Sequence, residues 1–297
     1  MKILLTGANG FVGMVFQECW KAEHEIARLG RDKNSDVICD LSTQIPLVPE
    51  IDCVVHAAGK AHVVPKNEKE AREFFDVNVT GTDNLLRALA KSNGLKKFIF
   101  ISSVSVYGLS EGKLINEKEA LNATDPYGKS KIAAEKLVTE WCSSRNIPYY
   151  ILRLPLIVGK GAPGNLGAMV NGIKKGRYLS IGKATANKSM VLANNVAQLI
   201  SGIEGESGTY NLTDGYHPAF GELENKIAAF YKKKSPLSLP VWIARLMGVA
   251  GDILGRFSPI NSNKLKKITS TLTFDDTLAR IKLNWKPHNV LANWEIE

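Results

Sequence analysis

The chain lacks the features of a secreted, metal-binding or membrane-spanning protein. Its four cysteines (Cys19, Cys39, Cys53 and Cys142) are widely spaced, with no Cys-x-x-Cys pair and no nearby histidine cluster. We therefore expect reduced thiols, no disulfide framework and no bound metal. The glycine-rich segment at residues 7–13 comes too early for a signal peptide, which predicts a cytoplasmic protein.

No uninterrupted apolar run is long enough to cross a bilayer. The longest apolar stretch, residues 237–257, contains Arg245, Asp252 and Arg256, so it predicts an amphipathic helix and no transmembrane segment. We interpret this helix as packed on a smaller second domain. A peripheral membrane contact, helped by the lysines at 232–234, is the alternative.

The chain is basic, but its sequence contains no nucleic-acid-binding motif. The formal net charge is +9, but the lysines are dispersed and are not interleaved with aromatic residues. We expect no nucleic-acid partner, and an anionic small-molecule substrate would explain the charge equally well. A basic nucleic-acid-binding protein is kept as a rival interpretation.

The first residues carry the clearest local signal. An apolar run at residues 2–6 leads directly into Gly7, Gly10 and Gly13, and a helical pattern follows. Strand, tight turn and helix are the context of a dinucleotide-binding fingerprint, although the spacing here is Gly-x-x-Gly-x-x-Gly. Gly7 would allow the turn, Gly10 the approach of a pyrophosphate, and Gly13 close helix–strand packing.

Apolar strands alternate with helical patterns up to about residue 158, which predicts a doubly wound parallel sheet of the α/β class. We expect a Rossmann-type domain at residues 1–158, with a return of residues 188–202. Residues 159–297 would mainly form a smaller α/β substrate domain. The expected strands are 2–6, 25–29, 36–39, 52–56, 98–103 and 149–154, and the main helices are 11–22, 68–92 and 127–144.

A tyrosine and a lysine are spaced four residues apart at Tyr127 and Lys131. On a helix they share one face, and a fixed ammonium would favour the phenolate and bring the tyrosine pKa toward the working range. An apolar strand that ends in Ser102 and Ser103 precedes them. These residues together predict proton transfer at a sugar or alcohol oxygen.

Six segments resemble those of the extended short-chain dehydrogenase/reductases, in the same order and spacing: TGANGFVG, HAAGKAH, NVTGTDNL, FISSVSVYG, DPYGKSKIAAE and LRLPLIVGKG. The resemblance covers nearly the whole chain. Within the NAD-dependent epimerase/dehydratase family, it is to nucleotide-sugar 4-epimerases and 4-ketoreductases.

The resemblance implies catalytic roles for Ser103, Tyr127 and Lys131. Tyr127 would act as acid/base at the sugar C4 hydroxyl, Lys131 would hold the nicotinamide ribose, and Ser103 would share the hydrogen bond to the reacting oxygen. Ser102 and Ser105 are close rivals of Ser103. The implied cofactor contacts are Gly7, Gly10, Phe11, Val12, Gly13, Arg31, Asp40, Leu41, Ala57, Ala58, Gly59, Asn78, Ser102, Tyr127, Lys131 and Pro155.

The chain departs from the family pattern on the substrate side. Ser103, Ser105, Asn165 and Lys188 are the implied substrate contacts, but Lys188 stands where an arginine typically grips the pyrophosphate. In addition, Leu-Ile-Val-Gly follows Pro155 where epimerases usually have an asparagine-containing turn.

The end of the second strand favours NADP(H) over NAD. The position of the acidic residue that binds the ribose of NAD is occupied by Gly30, and Arg31 is placed to meet a 2′-phosphate. A slip of one or two residues would instead make Asp32 the ribose ligand.

We therefore expect an NAD(P)-dependent nucleotide-sugar epimerase or 4-ketoreductase in surface-polysaccharide synthesis. The substrate would be a UDP-hexose or UDP-N-acetylhexosamine, or a lipid-diphosphate-linked sugar if residues 237–257 touch a membrane. A sugar-nucleotide dehydratase and a non-catalytic NADP-binding regulatory protein are the alternatives. A homodimer paired through helices near residues 80–92 and 127–144 follows from the resemblance.

Overall fold

The computed structural model describes residues 1–61, 63–92, 94–254 and 261–297. Its strands are β1 Lys2–Thr6, β2 Glu25–Gly30, β3 Val37–Ile38, β4 Cys53–His56, β5 Lys97–Ser103, β6 Gly112–Ile115, β7 Tyr149–Leu154, β8 Leu156–Val158, β9 Leu179–Ile181, β10 Met190–Leu192, β11 Gly208–Asn211, β12 Leu237–Leu239 and β13 Leu272–Phe274. Its helices are α1 Phe11–Trp20, α2 Glu68–Phe75, α3 Gly81–Leu89, α4 Pro126–Ser143, α5 Gly164–Lys174, α6 Ala193–Ser201, α7 Phe220–Phe230, α8 Val241–Leu254, α9 Ser262–Thr269, α10 Thr277–Lys282 and α11 Val290–Asn293.

Seven strands form a parallel sheet in the order β3-β2-β1-β4-β5-β7-β11. The order reverses between β1 and β4, so the sheet is doubly wound, as the alternating sequence pattern predicted. Three two-stranded sheets lie outside it and pair β8 with β10, β9 with β12 and β6 with β13.

Helices cover both faces of the main sheet, which is why its central strands are mostly apolar. On one face, α1 and α6 contribute Trp20 and Val196 to the core, and the Trp20 indole donates a hydrogen bond to the Ala197 carbonyl, 2.9 Å away. On the other face, α3 and α4 contribute Leu85 and Val138.

The chain returns to the main sheet more than once after residue 158. Helix α6 packs on α1, within the return expected at residues 188–202. Strand β11 then joins the sheet edge beside β7, and Ala279 of α10 is buried in the same core. β11 was not among the expected strands because its sequence, GTYN, is short and has little apolar character. The division at residue 158 stays a prediction.

The helix expected over residues 68–92 is interrupted by a π-helical turn at Asp76–Thr80. The Gly81 N–H bonds to the Asp76 carbonyl, and the Thr82 hydroxyl donates to the Asn78 carbonyl, 2.7 Å away. The wider turn rotates Asn78 into the protein interior, and such turns frequently mark functional sites.

The apolar stretch that begins at residue 237 is divided between β12 and α8, and its residues 255–257 lie outside the described part. Helix α8 packs on α9, with the Cα of Ser262 about 3.4 Å from the position that a Cβ on Gly248 would take. Within the described ranges, no helix is sufficiently long and apolar to span a membrane.

The turn after β1 generates a test of packing. A Cβ on Gly13 would lie 2.2 Å from the Gly7 carbonyl oxygen, whereas a Cβ on Gly202 would meet nothing within 4 Å. We expect Gly13→Ala to lower the free energy of unfolding by about 1–3 kcal/mol, because the overlap forces α1 away from β1. Urea denaturation would measure this. Gly202→Ala is the control, and an equal effect of both substitutions would contradict the packing argument.

Candidate active site

The turn between β1 and α1 lies against the end of β4. Gly7 has φ +71°, and a Cβ there would lie 2.7 Å from the Ala58 nitrogen, so only glycine fits. The carboxyl ends of β1 and β4 therefore form one wall of a crevice at the point where the strand order reverses. Ligands bind at this point in open α/β sheets.

The amino end of α1 points into this crevice without a side-chain cap. Its cap residue is Gly10, and the first backbone bond of the helix runs from the Met14 N–H to the Gly10 oxygen. The amides of Phe11, Val12 and Gly13 precede that bond, so they have no partner within the helix. Free N–H groups at a helix start suit phosphate oxygens, and these residues therefore fit a dinucleotide.

A buried histidine connects the end of β4 to the π-helical turn. The Ala58 N–H donates to the Thr6 hydroxyl, 3.0 Å away, and this oxygen lies 2.6 Å from His56 Nδ1. His56 Nε2 lies 2.9 Å from the Thr82 hydroxyl, which itself donates to the Asn78 carbonyl. Burial, with a contribution from Lys131, lowers the pKa of His56 to about 3, so the ring is neutral.

Asn78 continues this network toward the tyrosine. Its side-chain oxygen accepts the Lys60 N–H at 2.7 Å, and its amide donates to the Ser130 hydroxyl at 2.8 Å. Ser130 in turn donates to the Tyr127 carbonyl, 2.7 Å away. A Cβ on Gly59 would lie 3.1 Å from the Asn78 oxygen, so the backbone after β4 passes close to this amide.

Ser103 and Tyr127 meet at the carboxyl end of β5. Burial raises the pKa of the Tyr127 phenol, the hydrogen bond with Ser103 lowers it, and the nearby Asp125 raises it. The Phe74 ring packs edge-on against the Tyr127 ring, with centroids 6.2 Å apart. The side chains of Ser103 and Tyr127 are thus held together at the crevice.

Lys131 lies one turn after Tyr127 but does not lower the phenol pKa in this structure. Its ammonium donates to the Ile101 carbonyl at 2.7 Å and lies 4.1 Å from the centre of the Phe100 ring. Burial lowers the Lys131 pKa to about 8, against the raising effect of Glu135. The expectation that the ammonium alone would favour the phenolate is therefore wrong here.

A buried ion pair beneath the crevice was missed from the sequence. Glu135 accepts two hydrogen bonds from Arg153, and its Oε1 also accepts the Ser102 hydroxyl at 2.5 Å. Arg153 continues to the Tyr107 hydroxyl at 3.0 Å, which donates to Asn211 of β11. The available signal was a charged residue inside the apolar strand YYILRL, because such a residue requires a buried partner.

The two rival serines occupy different places. The Ser102 side chain is buried and bonded to Glu135, on the side of β5 away from Ser103. Ser105 follows Ser103 in a short 3₁₀ turn, and the Ser103 hydroxyl lies 3.1 Å from the Ser105 hydroxyl. Of the three serines, Ser103 is the one whose hydroxyl lowers the pKa of Tyr127.

The residues expected around the adenine ribose lie at the ends of β2 and β3. Arg31 is 78% exposed, and its guanidinium lies 3.9 Å from the Asp40 carboxylate. That carboxylate also accepts the N–H and hydroxyl of Ser42, so it closes a local turn as well. Leu41 is buried in the core beside Gly81.

The remaining expected contacts are more widely spread. Pro155 directly follows β7, and Asn165 is exposed in the first turn of α5. Lys188 is half-buried and donates to the Ser270 carbonyl, 2.6 Å away. Burial, together with Lys267, lowers its pKa to about 8. Within the described ranges, no group of His, Cys, Asp and Glu side chains could hold a metal ion.

A model of the NAD-dependent epimerase/dehydratase family matches residues 3–203. The chain belongs to this family. The assignment agrees with the resemblance of the six sequence segments.

Relatives in the family match almost the full chain. A UDP-glucose 4-epimerase of Vibrio cholerae is 30% identical over 97% of this chain and 92% of its own length. An N-acetyl-α-D-glucosaminyl-diphospho-ditrans,octacis-undecaprenol 4-epimerase of Escherichia coli O157:H7 is 31% identical over 93% and 87%. A GDP-6-deoxy-D-mannose reductase of Pseudomonas aeruginosa is 28% identical over 76% and 79%.

Solved structures share the fold. The protein RMD of Pseudomonas aeruginosa, in complex with NADPH, superposes with a TM-score of 0.74 at 23% identity, over 98% of this chain and 94% of that one. A UDP-glucose 4-epimerase of Thermotoga maritima, with UDP-glucose, has a TM-score of 0.73 at 20% identity, over 97% and 94%. The family model and the curated relatives together make the chain an NAD(P)-dependent enzyme of the sugar-nucleotide epimerase and reductase class.

The buried ion pair generates a stability test. Both side chains of Glu135 and Arg153 are 6% exposed, whereas Glu140 on the same helix forms an exposed pair with Lys136 at 3.7 Å. We expect Glu135→Gln to cost about 3–5 kcal/mol, because it leaves Arg153 charged and unpaired. Glu140→Gln should stay within about 0.5 kcal/mol. Urea denaturation would compare them, and similar values would show that the buried pair does not stabilise the fold.

Proposed function

We propose that this protein transfers hydride at C4 of a nucleotide-linked sugar, as an epimerase or a 4-ketoreductase. The observation that carries the proposal is the convergence of Ser103, Tyr127 and Lys131 at the carboxyl end of β5. The uncapped start of α1 follows β1 at the same edge of the parallel sheet and fits a dinucleotide. A regulatory protein that only bound the cofactor would have no need of the paired hydroxyls.

Tyr127 is the group that exchanges a proton with the substrate. As phenolate it accepts the proton of the sugar C4 hydroxyl, and as phenol it returns a proton to the oxygen of a 4-keto sugar. Ser103 bonds the tyrosine and donates to the same substrate oxygen. A bound nicotinamide cofactor supplies the hydride acceptor or donor.

Lys131 and Asn78 position the nicotinamide cofactor. The pKa of Lys131 is about 8, so the side chain titrates close to neutral pH. Its ammonium lies 4.0 Å from the position that a Cβ on Gly59 would take. The ammonium is therefore placed beside the backbone of the Ala57–Gly59 segment, where it can bind the ribose hydroxyls. Pro155, directly after β7, would lie near the nicotinamide carboxamide.

The substrate is a UDP-hexose or UDP-N-acetylhexosamine used in surface-polysaccharide synthesis. Lys188 and Asn165 are the residues of this chain that would meet its diphosphate. Lys188 has to leave the Ser270 carbonyl to do so, and as a point charge it binds phosphate without the bidentate geometry of arginine. The four cysteines are free thiols, which supports a reducing compartment such as the cytoplasm.

NADP(H) is the preferred cofactor, and Arg31 is the residue that selects it. Its guanidinium is exposed beside the end of β2, and the Ser35 hydroxyl lies 3.1 Å from the position of a Cβ on Gly30. A guanidinium and a hydroxyl together suit a 2′-phosphate. Two subunits pair through α3 and α4, as in the family pattern.

The role of Tyr127 is tested by removing its hydroxyl. We expect Tyr127→Phe to lower turnover by at least about 100-fold, because no other group on the crevice replaces the proton donor. Cofactor affinity should change little. Turnover of a UDP-sugar and titration of NADPH fluorescence would measure both. Tyr216→Phe, at an exposed hydroxyl bonded to Glu222, is the control, and near-normal turnover of the Tyr127 variant would refute the mechanism.

The cofactor assignment is tested by titrating NADPH and NADH side by side. We expect Arg31→Ala to weaken NADPH binding at least about tenfold and NADH binding by less than twofold, because only NADPH carries the 2′-phosphate. Lys33→Ala, at an exposed position in the same loop, is the control. Equal losses for both cofactors would refute the role of Arg31. Tightly bound NAD in the purified protein would indicate an epimerase that recycles its own hydride.

A further inference from the structure

We propose that the surface formed by β9, β12 and the outer face of α8 docks the protein on an anionic phospholipid bilayer. We call this surface the docking face. It comprises exposed apolar side chains on these three elements and the basic residues that precede the two strands. Neither the hydride chemistry nor the nucleotide crevice uses any of them.

Helix α8 exposes large apolar side chains and buries small residues. Ala244, Gly248 and Gly251 are buried, whereas Trp242, Leu246 and Val249 are 65%, 63% and 56% exposed. The exposed three are spaced four and three residues apart, so they form one stripe along the helix. A helix on the surface of a globular protein normally buries its large apolar residues.

Two more apolar side chains extend this surface. Strands β9 and β12 are parallel, and their register places Leu179 opposite Leu237. These leucines are 52% and 78% exposed. Helix α8 begins two residues after β12, and Val241 at its start reaches the turn after β9, where a Cβ on Gly182 would lie 2.6 Å from its Cγ2. Several exposed large apolar side chains on neighbouring elements mark an interaction site.

The charge around these residues has one sign. Residues 174–183 and 231–251 contain eight Lys and Arg residues and no Asp or Glu, in a chain whose formal net charge is +9. All eight are exposed: Lys174, Lys175, Arg177, Lys183, Lys232, Lys233, Lys234 and Arg245. Three carboxylates lie near the surface: Glu297, paired with Lys174, Asp252 near the far end of α8, and Glu224, which is buried beneath β9 beside Ser180.

Topology brings two of the basic groups to one edge. Because β9 and β12 run parallel, the residues that precede them emerge at the same end of this two-stranded sheet. These are Lys175 and Arg177 before β9, and the lysines at 232–234 before β12. Cations beside exposed leucines and a tryptophan match the headgroups and acyl boundary of an anionic bilayer.

Other occupants fit the docking face less well. A second copy, related by a two-fold axis, would bring the same cations together, because each subunit offers the same patch. A nucleic acid would pair with the cations but leave the apolar stripe of α8 exposed. An anionic bilayer satisfies both the charge and the apolar area.

Sedimentation with lipid vesicles tests the proposal. We expect the full chain to sediment with phosphatidylcholine vesicles that contain phosphatidylglycerol, much less with phosphatidylcholine alone, and less as salt is raised. Replacing Trp242 and Leu246 together by Ser should lower partitioning at least about tenfold. Replacing the lysines at 232–234 by Gln should lower it about fivefold per lysine.

Matched controls use positions away from the docking face. Ile38→Ser with Leu47→Ser removes two apolar side chains that are 63% and 93% exposed, and Gln at Lys69, Lys91 and Lys118 removes three exposed charges. Both controls should keep partitioning within about twofold, since their side chains lie outside the surface. Thermal unfolding would establish that every variant is folded.

Three outcomes would overturn the proposal. The first is absence of vesicle binding by the wild type, and the second is binding that the docking-face variants leave unchanged. The third is a different partner in place of vesicles. It would appear as self-association in sedimentation velocity, or as salt-dependent retention on DNA, that the docking-face variants abolish in a protein that does not bind vesicles. Turnover of a water-soluble nucleotide sugar should be unchanged in all of them, so failure here is distinct from failure of the proposed reaction.

Discussion

The buried carboxylate of Glu135 is the constraint on which the rest of the site depends. A charge that is removed from water must be paired and hydrogen-bonded, and Glu135 obtains its partners from β5 and β7. Its bonds to Ser102 and Arg153 therefore tie α4 to the two strands that border the crevice. Tyr127 and Lys131 lie on the same helix, so their positions relative to Ser103 follow from where Glu135 holds α4.

A second buried network has the corresponding role on the other side of the crevice. His56 is neutral and connects Thr6, after which the glycine turn begins, to Thr82 and Asn78 in the π-helical region. Because the Thr6 and Thr82 hydroxyls each both donate and accept, the direction of every hydrogen bond in this network is defined. Buried polar groups thus hold the glycine turn in place relative to the Tyr127 segment, and they do so more specifically than packing alone.

Burial controls the titration of Tyr127 and Lys131. It raises the Tyr127 pKa and lowers that of Lys131 to about 8, so both groups are displaced toward their neutral forms. The sequence argument considered only the attraction between an ammonium and a phenolate. It omitted desolvation, which depends on how many atoms surround each side chain and cannot be obtained from the spacing of two residues.

Local patterns in the sequence determined the parallel sheet up to β7, the glycine turn at Gly7–Gly13 and the placement of Tyr127 and Lys131 one turn apart on a helix. These features depend on short-range preferences, such as runs of branched apolar residues and the conformational freedom of glycine. Only the tertiary structure decided that β11 joins the sheet, that Ser102 faces Glu135 rather than the crevice, and that Lys188 bonds to Ser270. Each of these depends on contacts between residues distant in the chain, and no local period or spacing encodes which partner a buried polar group will find.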